Sequence, residues 1–150
     1  MEFSVFFVTV SNRNMVDLCE IVRKYYYHPD MGGTNSIKAV LPAVLSASEF
    51  LKDKYSKPLT FGTNLIDKVW WKNDAVSDKV IDPYRLLREN FDDSRNVVND
   101  GGAAMTAFGK LQYSDISEKE RKEIISDLLR YCELDTLAML MLYEHWRSLR

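Results

Sequence analysis

Apolar and polar positions alternate along this chain with two different periods, and the change between them divides it into elements. Phe3 to Val10 is dense in Phe and Val, with apolar residues at both parities, which predicts a strand covered on both faces. A lone strand is unstable, so its partners are expected elsewhere. From Met15 the period becomes helical: Met15, Leu18, Cys19, Val22 and Tyr26 share a face, with Asn14 as N-cap and Asp17 as an acid in the first turn. His28-Pro29 ends that helix and Gly32-Gly33 makes a loop. A short helix follows from Asn35 or Ser36, turning Ile37, Val40 and Leu41 inward and limited by Pro42.

Ser46-Ala47-Ser48-Glu49 reads as a capping box opening a helix that holds Phe50 and Leu51. Tyr55 to Asp82 mixes its periods and is expected to be a long connection containing one strand pair. Pro83 suits the first turn of a helix reaching Arg88, Asn90 to Asp100 reads as polar loop, and Gly101 to Leu111 as a helix. Ser117-Glu118-Lys119-Glu120 is a second capping box, and helical spacing then runs almost to Arg150.

On this last helix, Leu128, Cys132, Asp135, Met139, Leu142, Trp146 and Leu149 follow steps of four and three, which predicts one inward face with Asp135 at its centre. Tyr131 lies one turn earlier on nearly the same side. An ionised carboxylate in an apolar interior costs several kcal/mol, roughly, unless it is paired or binds a cation. Asp135 therefore calls for a partner: either a structural ion pair or helix cap, or a metal ion with Tyr131 orienting a water. Spacing leaves both open. Cys132, in the same stripe, is expected to behave as a small buried hydrophobe.

Composition narrows the classes. The net charge of −2 supplies no global field toward polyanions, so a nucleic-acid contact needs a local patch or bound metal. Cys19 and Cys132 are too few for a cysteine zinc site, and reduced cytosolic thiols are the expectation. Glu2 stands where a signal peptide is basic, and no stretch approaches the ~18 apolar residues of a membrane helix, so a cytoplasmic protein is expected. Other candidates have ordinary readings. Gly32-Gly33 before Ser36 and Lys38 could receive a phosphate or simply turn the chain. Tyr25 to Tyr27 and Trp70-Trp71 could stack bases or fill the core. His28 reads as loop packing and His145 as an outer-face residue.

Tyr131-Cys132-Glu133-Leu134-Asp135 resembles the third motif of DEDDy-type 3′→5′ exonucleases, a tyrosine and an aspartate four apart on the last helix of a ribonuclease H-like fold. A wider set of segments is similar to the C-terminal part of a bacterial domain family of unknown function placed among ribonuclease H-like nucleases. They are Met15-Val16-Asp17-Leu18, Tyr26-Tyr27-His28-Pro29, Ser36 to Pro42, Asp100 to Met105 and Leu128 to Met139, so the likeness runs from about Asn14 to the end of the chain. The resemblance implies a mainly α chain with a few short strands (α+β), the C-terminal helical half of a ribonuclease H-like fold, with residues 1–150 forming one partial domain. It implies Tyr131 and Asp135 as catalytic residues, Asp135 as a ligand of Mg²⁺ or Mn²⁺, and nucleic acid as substrate. It also implies an upstream segment or separate chain that completes the sheet.

The departure is equally specific. Such enzymes carry an Asp-x-Glu pair on the first strand and an acid in a second motif, and no Asp-x-Glu occurs here. Two-metal phosphodiester hydrolysis needs several carboxylates around ions about 4 Å apart. The expectation is the C-terminal part of a metal-dependent 3′→5′ exonuclease-like domain, inactive alone. The alternatives are a non-catalytic nucleic-acid-binding or protein-interaction module, or a truncated product without a role of its own.

Overall fold

The structure is a computed structural model that describes residues 8–10, 13–77, 79–87, 98 and 100–149. Helices dominate, with two separate two-stranded antiparallel sheets, an α+β arrangement as expected. β1 (Val8–Val10) pairs with β2 (Arg13–Met15). The opening strand thus finds its partner in the next few residues rather than in a distant segment, and Phe3 to Phe7 of the expected strand lie outside the described residues. Because Asn14 belongs to β2, the first helix starts later: α1 spans Leu18–Tyr25, and Asp17 is its N-cap, accepting from the Cys19 and Glu20 amides at 2.8 and 3.2 Å. A carboxylate there serves both the free N–H groups and the helix dipole.

A 3₁₀ turn at Pro29–Met31 and the glycine loop lead to α2 (Ile37–Ala47). Pro42 does not limit this helix, which continues for five residues beyond it. Interior proline costs about 3 kcal/mol, but Leu41, Ala43, Val44 and Leu45 around it are all buried. Two buried leucines alone return a comparable amount, at roughly 1.5–3 kcal/mol each. α3 (Glu49–Tyr55) is capped by Ser48, whose hydroxyl accepts from the Leu51 amide, two residues later than the start read from Ser46.

β3 (Leu59–Phe61) and β4 (Leu65–Lys68) form the strand pair expected in the middle segment. Val69-Trp70-Trp71 is loop. The Trp70 and Trp71 amides both donate to the Tyr55 carbonyl at 2.9 Å, and the Trp71 indole donates to the Leu45 carbonyl. Those bonds fasten the loop over the junction of α2 and α3 and sink Trp70 fully into the core. The short α4 (Pro83–Leu86) is capped by Asp82, α5 (Gly101–Tyr113) by Asp100 and α6 (Glu118–Ser148) by Ser117. The reading of Asn90 to Asp100 as polar loop lies outside the described residues except at Val98 and Asp100; α4 is described to Leu86, and Arg88, its expected end, lies outside them.

The core lies where α2 and α3 meet the C-terminal half of α6: Val40, Leu41, Val44, Leu45, Leu51 and Tyr55 pack with Leu134, Leu137, Ala138, Met141 and Leu142. No residue of α5 is buried; it lies along the N-terminal half of α6, with the Arg121 guanidinium donating to the Leu111 carbonyl and Lys110 paired to Glu120. No described helix is long and apolar enough to cross a membrane.

Candidate functional site

α6 is the element on which the expected site stands, and its orientation differs from the sequence reading. Its buried residues are Asp127, Leu134, Leu137, Ala138, Met141, Leu142 and His145. This face is turned about a quarter of the helix circumference from the stripe through Leu128, Cys132 and Met139, at 100° per residue. Three expectations are corrected. Cys132 is exposed rather than buried. Met139 and Leu149 are also exposed. His145 is buried rather than on the outer face, its ring edge-on to Tyr26 at 5.8 Å. Apolar residues surround α6 so thoroughly that several phases fit the pattern, and the packing of α2 and α3 selects one of them.

Asp135 consequently sits at the margin of the buried face, half-buried, not at its centre. Its Oδ1 accepts a hydrogen bond from the Tyr84 hydroxyl at 2.6 Å. The required partner is therefore a neutral phenol from α4, and no Lys or Arg among the described residues is bonded to Asp135. Tyr131, one turn before, packs its ring 5.8 Å from that of Tyr84. The Tyr131 hydroxyl reaches the first residue of α5, 4.0 Å from where a Cβ on Gly101 would lie. The two residues singled out from the sequence are thus brought together, with Tyr84 between their functional ends.

Three more charged groups surround this pair. The Lys38 ammonium stands 5.5 Å from the centre of the Tyr84 ring. Asp82 accepts from the Tyr84 amide at 3.0 Å, and Asp100 accepts from the Ala103 amide at 2.7 Å. Burial raises the Asp82 carboxyl above its usual range, against the opposing effects of the Tyr84 amide and the charges of Lys38 and Arg85. The Ala103 amide bond lowers the Asp100 carboxyl, helped by the charge of Lys38. Burial raises both phenols; the bond to Asp135 adds to this at Tyr84, and the charges of Asp135 and Asp100 add to it at Tyr131. Both tyrosines therefore stay protonated through neutral pH. They can orient a carboxylate or a water but cannot act as a base.

Tyr84, Asp82, Lys38 and Asp100 were not read as parts of this site. Asp82 before Pro83 and Asp100 before Gly101 are visible in the sequence as cap positions, but nothing local places two N-caps beside the same helix. Among the described residues, no three His, Cys, Asp or Glu side chains form a group able to hold a metal ion.

The remaining candidates separate cleanly. Trp70 is core, and Trp71 is tied to Leu45 with Lys52 over its ring. Tyr26 packs on His145 and Trp146, whereas Tyr25 and Tyr27 are exposed. The His28 ring nitrogen accepts from the Asp30 amide at 3.2 Å, a loop cap. Gly32 and Gly33 both have positive φ and turn the chain into α2. Comparison with family profiles, with curated proteins and with solved structures finds no match to this chain.

Proposed function

We propose that this chain forms the helical part of a ribonuclease H-like domain of the DEDDy 3′→5′ exonuclease type, supplying the tyrosine–aspartate pair and inactive by itself. The observation that carries the reading is the state of Asp135. It is half-buried on the long helix α6, one turn from Tyr131, and is held by a neutral hydroxyl instead of a cation. A carboxylate held by one neutral hydroxyl keeps its negative charge and a second oxygen for a cation or a water, with its rotamer fixed. Tyr84 fixes the rotamer here.

In such a domain Mg²⁺ or Mn²⁺ would be shared between Asp135 and carboxylates from other motifs. The described residues do not make up that set, so no hydrolytic step is assigned to this chain. Its own contribution is narrower: Tyr84 orients Asp135, and Tyr131 offers a protonated phenol beside it.

The test is paramagnetic broadening of the amide spectrum by Mn²⁺. The reading expects selective loss of signals around Tyr131 and Asp135 at millimolar-range metal, abolished in Asp135→Asn. Broadening confined to other acids, or identical in the variant, refutes the ligand role. The chain alone should leave single-stranded DNA and RNA undigested in Mn²⁺. Digestion that disappears in Asp135→Ala would mean a self-sufficient active site and would overturn the incomplete-site part of the proposal.

One observation favours the alternative of a non-catalytic nucleic-acid-binding module. Arg23, Lys24 and the exposed Tyr25 and Tyr27 line an open concavity of about 360 Å³. Bases could stack there beside basic side chains. Binding of a single-stranded oligonucleotide that is lost in Tyr25→Ala/Tyr27→Ala and unchanged in Asp135→Asn would select this second reading.

A further inference from the structure

Glu133 stands midway between Tyr131 and Asp135 on α6, about 200° around the helix from each, so it points away from the side they share. There its carboxylate meets the turn between β3 and β4. Oε1 accepts from the Thr63 amide at 3.0 Å, the Thr63 hydroxyl at 3.2 Å and the Asn64 side-chain amide at 2.7 Å. Oε2 accepts from the Asn64 backbone amide at 2.9 Å. Gly62 lets the two surfaces meet this closely: its φ is +64°, and a Cβ there would stand 2.6 Å from the carboxylate. Two backbone amides and two side chains thus converge on one anion.

The hairpin has an anchor of its own, because Leu65 of β4 is fully buried in the core. The helix lacks one at this turn. No residue between Asp127 and Leu134 is buried, and on that side α6 lies along α5, which buries nothing. Tyr131 and Asp135 therefore stand where α6 enters the core, and Glu133 fastens the helix at that point. A second fastener lies on the same side. Glu144, eleven residues on, is about 20° from the line of Glu133 and ~16 Å along the axis. It accepts from the Tyr55 hydroxyl at 2.9 Å and pairs with Lys54. Two such bonds on one line resist rolling of the helix about its axis.

We propose that Glu133 is a positioning residue for the Tyr131–Asp135 pair: its grip on the β3–β4 turn sets the roll of α6 and so keeps Asp135 on the Tyr84 hydroxyl and Tyr131 against the Tyr84 ring. A roll of ~20° carries a carboxylate oxygen ~5 Å from the helix axis through ~2 Å. That is enough to break the 2.6 Å bond from Tyr84. Functional groups must be held to within about 0.5 Å and 10–20°, and the apolar pattern of α6, which suits several rotations, does not hold this turn by itself. The proposal rests on Tyr131 and Asp135 being the functional pair.

Glu133→Ala in the full chain tests it, read by NMR without metal and then by Mn²⁺ titration. The Tyr84 and Tyr131 rings lie 5.8 Å apart, and their cross-peaks should fall by at least half in the variant. The Mn²⁺ concentration that broadens the Asp135 signal should rise about tenfold, the scale of losses from groups that orient a ligand. Glu133→Gln, which keeps an acceptor oxygen, should lie between parent and Ala. Shifted Thr63 and Asn64 amides with unchanged ring cross-peaks overturn the proposal and leave Glu133 a clasp for the hairpin alone. A fall in the cross-peaks with unchanged Mn²⁺ affinity overturns it as well. Should Glu133→Ala not fold, Asn64→Ala removes the 2.7 Å bond without touching α6 and should give the same loss in smaller degree; unchanged cross-peaks there are equally decisive against it. A parent chain without Mn²⁺ broadening at Asp135 refutes the ligand reading only, because the ring cross-peaks need no metal and decide the positioning by themselves.

Discussion

Replacing Asp135 by Asn tests whether this acid is held for folding or for another purpose. The carboxylate accepts one short hydrogen bond, 2.6 Å from the Tyr84 hydroxyl, and is half-buried. Asn keeps the acceptor oxygen in nearly the same place, so the bond survives without its charge assistance. Charged hydrogen bonds contribute about 1.5–3 kcal/mol and neutral ones about 0.5–1.5, so the difference is ~1 kcal/mol. Removing a half-buried charge offsets part of that. The expected change is therefore within about 1 kcal/mol, a shift of roughly 2–4 °C or less for a chain of this size. A buried ion pair broken by the same change would cost about 3–5 kcal/mol. Urea unfolding in EDTA measures it. Tyr84→Phe, with the double variant, closes a cycle whose coupling should be about 1 kcal/mol. A loss above 3 kcal/mol in Asp135→Asn would refute the reasoning, because it would require a cationic partner that Tyr84 is not.

The Glu133 carboxylate accepts from the Thr63 and Asn64 amides and from both of their side chains. Desolvation raises its carboxyl, but these bonds outweigh that and hold it at about 2. A depressed acid stabilises the fold above its unfolded value of 4.5, and the contribution drains as pH falls from there toward 2; urea midpoints across that window should therefore lose slope in Glu133→Gln. Gly62→Ala should cost about 1–2 kcal/mol by thermal unfolding, because φ is +64° and the new Cβ would stand 2.6 Å from that carboxylate. His145 is a base lowered by burial, with Nδ1 lacking a hydrogen-bond partner among the described residues. The unfolded chain therefore takes up a proton first, and stability should fall as pH drops below about 6.5. His145→Leu should flatten that limb of the unfolding profile, and an unchanged profile would refute the assignment.

The ends of elements were legible in the residues because capping is a local contest. Ser117 and the loop glycines each act within a few residues of themselves, and each appears where it was read. Where two local signals overlap, the phase slips by a few positions. Ser46 and Ser48 both offer a hydroxyl to an N-terminus; Asn14 and Asp17 offer two caps. In both cases the later residue caps the helix and the earlier one is absorbed into the preceding element.

Longer-range choices were not legible. Nothing near Pro42 announces that a helix will run through it; that follows from the burial of Leu41, Val44 and Leu45 against other helices. The site divides along the same line. Tyr131 and Asp135 are neighbours by helical geometry alone, so the sequence determines their pairing. Tyr84, forty-seven residues before Tyr131, meets them only because α4 is brought alongside α6. The face of α6 that turns inward is the clearest case. Leu128, Leu129, Leu134, Leu137, Met139, Leu140, Met141 and Leu142 leave hardly any polar side, and a stripe with a 3.5-residue period fits such a helix in several rotations. Periodicity determined that the helix exists. The shape of the surface offered by α2 and α3 decided which rotation is buried, because close packing rewards only the one whose side chains interlock.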